Sequence, residues 1–223
     1  PTSTHLYLKI GISILFIILL NFIAYFGVEL SAYAQVVFAF ITIGLILAIV
    51  FPGIFELNPR NLTSIFDASI PAILITMFVL AEGFFGWESA TYLSEETKDP
   101  EKNIPKALII GTIIVGILSI LGTLVSFGSI SLAKLINSPA PLLIVSERFF
   151  SSGVNQLFGI GVFVSLIGAA ASGILTMPRL LLALARDKLF LAPFAEVHKK
   201  YRTPYKAIIF QTIVSLLVFG MAF

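Results

Sequence analysis

The chain has 223 residues, of which 58% are apolar and 12% charged, and its mean hydropathy is +1.03. Soluble domains carry about 45–50% apolar and about 25% charged residues, so this balance points to a membrane protein rather than a large soluble core. The net charge of +2 with no basic cluster among aromatics gives no reason to expect a nucleic-acid partner, and the absence of cysteine excludes disulfides and thiolate metal sites.

About 20 apolar residues cross a bilayer. By that rule the first span is 10–28, with Asn21 its one strongly polar side chain, and Gly27–Ser31 is a short turn. The second span is 32–51, stopped by Pro52-Gly53, and a polar loop covers Glu56–Asp67. The third is 69–93. It begins as an unbroken apolar run and then holds two carboxylates, Glu82 and Glu88, and two glycines, Gly83 and Gly86. A carboxylate at bilayer depth is costly and glycine is a weak helix former. Two readings fit: a helix broken near 82–88 that lines a polar cavity, or a shorter lipid-facing span ending at Leu80 with Glu82 in the headgroups.

Ser94–Asn103 is charged and belongs in water, and Pro105 suits the first turn of the next helix. The fourth span is 105–127, with Gly122 and Ser126 at a spacing that allows close helix contact. Between spans, 140–150 has apolar residues on one face and Glu147 and Arg148 on the other, which suits a short amphipathic helix in the outer loop, lying at the membrane interface; an irregular loop is the plainer alternative. The fifth span is 154–184, with Gly168, Ser172 and Gly173 forming a small-residue face, and the sixth is 204–223. The chain begins without Met and stops inside an apolar run, so a piece of a longer protein is expected.

Ten of the fourteen basic residues flank the segments after spans three and five: Lys98, Lys102, Lys106, Arg179, Arg186, Lys188, Lys199, Lys200, Arg202 and Lys206. Positive charge concentrates on the cytoplasmic side, so Ser94–Asn103 and Asp187–Arg202 are expected there, with Lys9, Arg60, Lys134 and Arg148 opposite. His5 and His198 stand far apart, no Walker, Rossmann or Gly-x-Ser-x-Gly pattern occurs, and no paired catalytic groups lie at depth. An enzyme is therefore not expected. The two classes left open are a secondary transporter and a polytopic receptor or structural subunit.

Phe84-Phe85-Gly86-Trp87-Glu88, followed by Glu95-Glu96-Thr97-Lys98-Asp99-Pro100-Glu101-Lys102-Asn103-Ile104-Pro105, resembles the sixth helix and following loop of the amino acid–polyamine–organocation family of permeases. Gly27 to Gln35, Ala185-Arg186-Asp187, and Val197-His198 with Tyr201-Arg202-Thr203-Pro204 resemble the start of that family's fifth helix, the end of its eighth and the start of its ninth. The resemblance implies helices four to nine of the leucine-transporter type of fold, an all-α inverted-repeat architecture with a discontinuous sixth helix. It implies an amino acid or related amine as substrate, a multi-pass place in the cell membrane, and coupling to protons or sodium, or exchange. It also implies that the substrate binds at Glu82, Gly83, Phe84, Phe85, Gly86 and Glu88, with the carbonyls of Glu82, Gly83 and Phe85 facing its amino group. Ser172 and Gly173 would face the same site from the eighth helix, although helix packing alone explains both equally well. Phe84, Phe85 and Trp87 also suit a lipid interface. The chain departs from the family pattern at Glu82, where many members carry an aromatic gate, and at Thr42, where several proton-coupled members carry lysine. Thr42, Glu82 and Glu88 are the positions that bear on coupling.

Overall fold

The computed structural model describes residues 3–63, 69–84 and 86–221. These are all helical or irregular, and five stretches are long and apolar enough to cross a membrane: Tyr7–Phe26, Ala32–Glu56, Ile70–Glu96, Pro100–Ser129 and Ser152–Arg186. The chain is therefore an all-helical membrane protein. The helices are α1 (Ser3–Phe26), α2 (Val28–Gly53), α3 (Pro59–Leu62), α4 (Ile70–Glu82), α5 (Pro100–Ser129), α6 (Leu132–Ile136), α7 (Pro141–Phe149), α8 (Ser152–Arg186) and α9 (Tyr205–Met221). A 3-10 stretch, Trp87–Glu96, follows α4. At 17 residues α9 is apolar but shorter than the other spans.

Local chemistry sets the ends of these helices, twice at places other than the sequence pattern suggests. The turn expected over Gly27–Ser31 is confined to Gly27, whose φ of 145° is open to glycine and rarely to other residues, so α2 resumes at once. Helix α5 starts at Pro100 rather than Pro105, because Asp99 adopts φ 46° and its carbonyl accepts hydrogen bonds from the amides of Lys102 and Asn103. Ser69 caps α4 by accepting from the amide of Ala72, and Pro71 fits its first turn, where the missing N–H is no loss.

The chain forms two units. The first comprises Pro1–Val36, Glu88–Ile104 and Gly168–Phe223; the second comprises Val37–Trp87 and Pro105–Ile167. In the first, α1 packs along α9. Proline has no amide hydrogen, so Pro178 inside α8 leaves the Ile174 carbonyl without its helical donor. Gln211 of α9 fills that place, donating through Nε2 to Ile174 O at 2.8 Å and to Asn21 Oδ1 at 3.1 Å. Asn21 in turn donates to Ile17 O. Thr203, fully buried, donates to the Tyr25 carbonyl in the last turn of α1. The turn after α8 is closed by His198, whose Nδ1 accepts from the amides of Lys200 and Tyr201 and whose ring stacks on Tyr201. Nearby, hydrogen bonds from Lys206 and then from Tyr205 hold the Glu196 carboxyl below the usual carboxylate range.

The second unit closes around Ile49, Val125, Leu135, Val145 and Phe158. Small residues let its helices approach. A Cβ at Gly122 would meet Ile46 at ordinary van der Waals distance, whereas one at Gly161 would sit 2.8 Å from Leu45 and one at Gly53 would collide with Val125. The amide of Asn58 and the side chain of Asn61 both donate to the Gly128 carbonyl at 3.0 Å, which satisfies a carbonyl near the α5 C-terminus. Helix α7 is bound into this unit: Val145 and Ser146 are fully buried, the one hydroxyl proton of Ser146 lies between Leu143 O and Asn155 Oδ1, and Arg148 pairs with Glu56 at 3.1 Å.

Candidate functional site

Helix α4 stops at Glu82 inside the apolar stretch. The amide of Gly83 turns back to Leu80 O, that of Phe84 to Ala81 O and that of Trp87 to Phe84 O, while Gly86 takes φ 96°, a value suited to glycine. Regular α-helical hydrogen bonding thus ends at Glu82, and from Trp87 the chain continues as 3-10 turns. Trp87 is tied down by its indole N–H, which donates to Thr112 Oγ1 at 3.0 Å, and its ring lies 6.1 Å from that of Phe84 in an edge-on arrangement. Trp87 therefore has a hydrogen-bonding partner within the chain and is not solely an interface aromatic. Glu82, Gly83, Phe84 and Gly86 are exposed, as is Glu88. Phe85 lies outside the described residues.

Glu82, Gly83, Phe84, Gly86 and Thr42 belong to the second unit, while Glu88, Ser172 and Gly173 belong to the first. In the first unit the carbonyl of Glu88 accepts from Thr91 at 2.6 Å and its carboxylate hydrogen-bonds with Tyr92. On α8 the carbonyls of Ser172 and Gly173 both take up the Thr176 hydroxyl, at 2.8 and 3.5 Å. Ser172 is half-buried, and a Cβ at Gly173 would meet nothing among the described residues.

Thr42 donates to Phe38 O at 2.9 Å and shares a 2.6 Å hydrogen bond with Ser165. With its own proton on the carbonyl, Thr42 is the acceptor of the second bond. The two hydroxyls stand at the wall of a cavity of about 150 Å³, otherwise lined by apolar side chains such as Leu45, Ile49 and Phe158. A hydroxyl so engaged supplies no positive charge and no titrating group in the physiological range.

The sequence pattern did not single out the ionic contacts between the 3-10 stretch and α8. Arg179 Nε lies 3.1 and 2.9 Å from the two carboxylate oxygens of Glu96, and Arg186 pairs with Glu95. Arg179 counts by composition among the basic flanks that orient the chain. In the fold it is buried within α8, its charge opposed by Glu96. The available signal was an arginine directly after a proline inside an apolar span, with two glutamates, Glu95 and Glu96, in the charged segment after the third span to answer it. Among the described residues no three His, Asp or Glu side chains gather as a metal site.

The sequence profile of the amino acid permeases matches residues 2–223. The chain is 28% identical over 225 residues to the b(0,+)-type amino acid transporter 1 of Mus musculus, covering 97% of this chain and 45% of that protein. It is 28% identical over 191 residues to the cystine/glutamate transporter of Homo sapiens, covering 82% and 38%. It is 32% identical over 159 residues to a serine/threonine exchanger of Bacillus subtilis, covering 66% and 33%. The chain thus spans less than half the length of these relatives.

Proposed function

The chain belongs to the amino acid permease family, and from that premise we propose that it is the central part of a secondary transporter, a permease or exchanger that carries amino acids or related amines across the cell membrane. The observation that carries this reading is the end of α4 at Glu82 with glycines on either side of the turn, inside a stretch otherwise apolar enough to span. Backbone outside regular helix at membrane depth is tolerated where it lines a cavity, and its free carbonyls suit an ammonium group. A receptor or structural subunit has no use for it. In this reading α1, α2, α4 with the 3-10 stretch, α5, α8 and α9 are the fourth to ninth helices of an inverted-repeat transporter fold, with Ser94–Asn103 and Asp187–Arg202 cytoplasmic. By the family resemblance the substrate-binding residues are Glu82, Gly83, Phe84, Phe85, Gly86 and Glu88, with Ser172 and Gly173 of α8.

The names of the relatives mention cystine, glutamate, serine and threonine, which supports amino acids as a class and leaves the side chain open. Glu82 makes no ion pair among the described residues. A carboxylate in a closing site requires a cation, a proton or water, because an unpaired charge there is penalised. Competition for uptake by the full-length protein in liposomes tests the assignment. If Glu82 pairs with the substrate's side chain, lysine, arginine or putrescine competes in wild type and loses about 1.5–3 kcal/mol of affinity in both Glu82→Gln and Glu82→Phe, the size of a hydrogen bond to a charged group. If leucine or alanine competes better than any cation and Glu82→Phe carries it normally, Glu82 does not select the substrate.

Thr42, engaged with Phe38 and Ser165, does not replace a lysine in coupling. Coupling falls to a proton on Glu82 or Glu88, to sodium, or to exchange. Imposed proton and sodium gradients separate these. A proton dependence that survives the combined Glu82→Gln and Glu88→Gln change removes the carboxylates from that role.

A further inference from the structure

The side chain of Arg179 runs back along α8, where its Nη1 donates to the Leu175 carbonyl. Its side chain is 3% exposed, its counter-charge is Glu96, and its Nη2 has no hydrogen-bond partner among the described residues. Glu96 is the last residue of the 3-10 stretch. That stretch has ten residues, where 3-10 runs beyond 3–4 are uncommon, and none of them is buried. Packing therefore does little to hold it. What joins its end to α8 is Glu96 on Arg179 and, half-exposed, Glu95 on Arg186. A cavity of about 400 Å³ lies between them, lined by Thr91, Tyr92 and Ser94 on one side and by Leu182 and Ala183 on the other. The carboxylate–guanidinium contacts close over a space that side chains do not fill.

We propose that Arg179 is a positioning residue: its pair with Glu96 sets the place of the 3-10 stretch, and with it Glu88, against α8, and release of the pair opens the cavity between them. The two partners are not equivalent. Glu96 can turn to water, whereas Arg179 without Glu96 is a buried charge with one nitrogen already unsatisfied. Separation therefore requires water to enter the cavity, which makes two discrete positions out of what would otherwise be gradual loosening. Glu95 and Arg186, both nearly half exposed, are solvated whether or not they touch, so their contact is the weaker of the two. The bearing on transport rests on the reading above, because the 3-10 stretch carries Glu88; the tie itself does not.

Leu182, 7% exposed, reports the opening from the α8 wall. The full-length protein, freed of other cysteines, carries Leu182→Cys and is purified into nanodiscs, and its rate of reaction with a small water-soluble maleimide is measured. Glu96→Gln is expected to raise that rate about tenfold or more, with Glu96→Asp intermediate and Glu95→Gln within about twofold of the parent. Where Glu96→Gln does not give a monodisperse protein, Arg179→Met with Glu96→Leu removes both charges together, a change that buried pairs commonly tolerate. It should raise the rate as the single variant does. An unchanged rate in either folded variant overturns the proposal, as does an equal effect of Glu95→Gln. Uptake is measured on the same samples. A wild type that moves no amino acid would sink the transport reading and leave the labelling result standing, so the two failures are told apart.

Discussion

The second unit has an apolar core of Ile49, Val125, Leu135, Val145 and Phe158, with polar ties such as Arg148–Glu56 and Thr42–Ser165 around it, whereas the first unit meets at buried or half-buried polar groups: Asn21, Gln211, the Ile174 carbonyl, Arg179 and Glu96. In a bilayer, apolar side chains gain little by leaving lipid for one another, so close packing must supply the contact energy. The second unit meets that requirement with glycines, at Gly53, Gly122, Gly128 and Gly161, each facing a side chain of another element. The first unit gains from groups that lipid cannot satisfy. Pro178 leaves a carbonyl that must find a donor, and Arg179 must find an anion. Packing of the first kind is continuous and hard to undo in steps. Polar ties of the second kind are discrete and can be exchanged for water. The ties beside the 3-10 stretch are of the second kind, and α7, with Val145 and Ser146 fully buried, belongs to the packed second unit.

The sharpest break of this comparison is Glu96→Ala. Leaving Arg179 buried and unpaired should cost about 3–5 kcal/mol, read as the loss of folded full-length protein in denaturant titrations in detergent. A change under about 1 kcal/mol would mean that water already reaches the guanidinium.

On the packed side, Gly53→Ala drives a methyl group into Val125 and Phe149 and should cost about 1–3 kcal/mol by overpacking. Gly173→Ala, which meets nothing among the described residues, serves as the control. Equal effects at the two glycines would show that helix propensity rather than contact is being measured.

Smaller is the loss expected for Gln211→Leu, about 0.6–2 kcal/mol, the range for hydrogen bonds between membrane helices. Pro178→Ala restores an amide to face the Ile174 carbonyl, so Gln211→Leu should cost less in that background. A double-mutant cycle that is additive would disprove the link between the proline and the glutamine.

Smallest is the effect at Glu196. Its carboxyl is held low in the folded state by Lys206, so the pair's contribution is present above the unfolded carboxylate's pKa and is lost as pH falls through the lower folded value. Glu196→Gln should lower stability slightly at neutral pH and converge on the parent in acid, so that the acid limb of stability against pH is flatter. A loss that persists undiminished in acid, or no loss at neutral pH, would contradict the pairing.

Composition and run length by themselves determined that this is a helical membrane protein, because about 20 apolar residues leave the backbone no partner in lipid except itself. The stop at Glu82 was legible for a similar reason: two glycines and two carboxylates in one apolar run oppose a continuous lipid-facing helix. Sequence periodicity could not show that Asp99 rather than Pro105 sets the start of α5, since that rests on a backbone angle. Nor could it show that Arg179, counted among the positive flanks, is buried against Glu96, 83 residues away along the chain. Asn21 stood out as the one strongly polar side chain of its apolar span, but its partner Gln211 did not, and what the two serve depends on a carbonyl in a third helix that Pro178 left open. Local rules act over a turn or two of chain. Which donor fills a vacant carbonyl, and which anion answers a buried arginine, is decided only when distant helices are packed side by side.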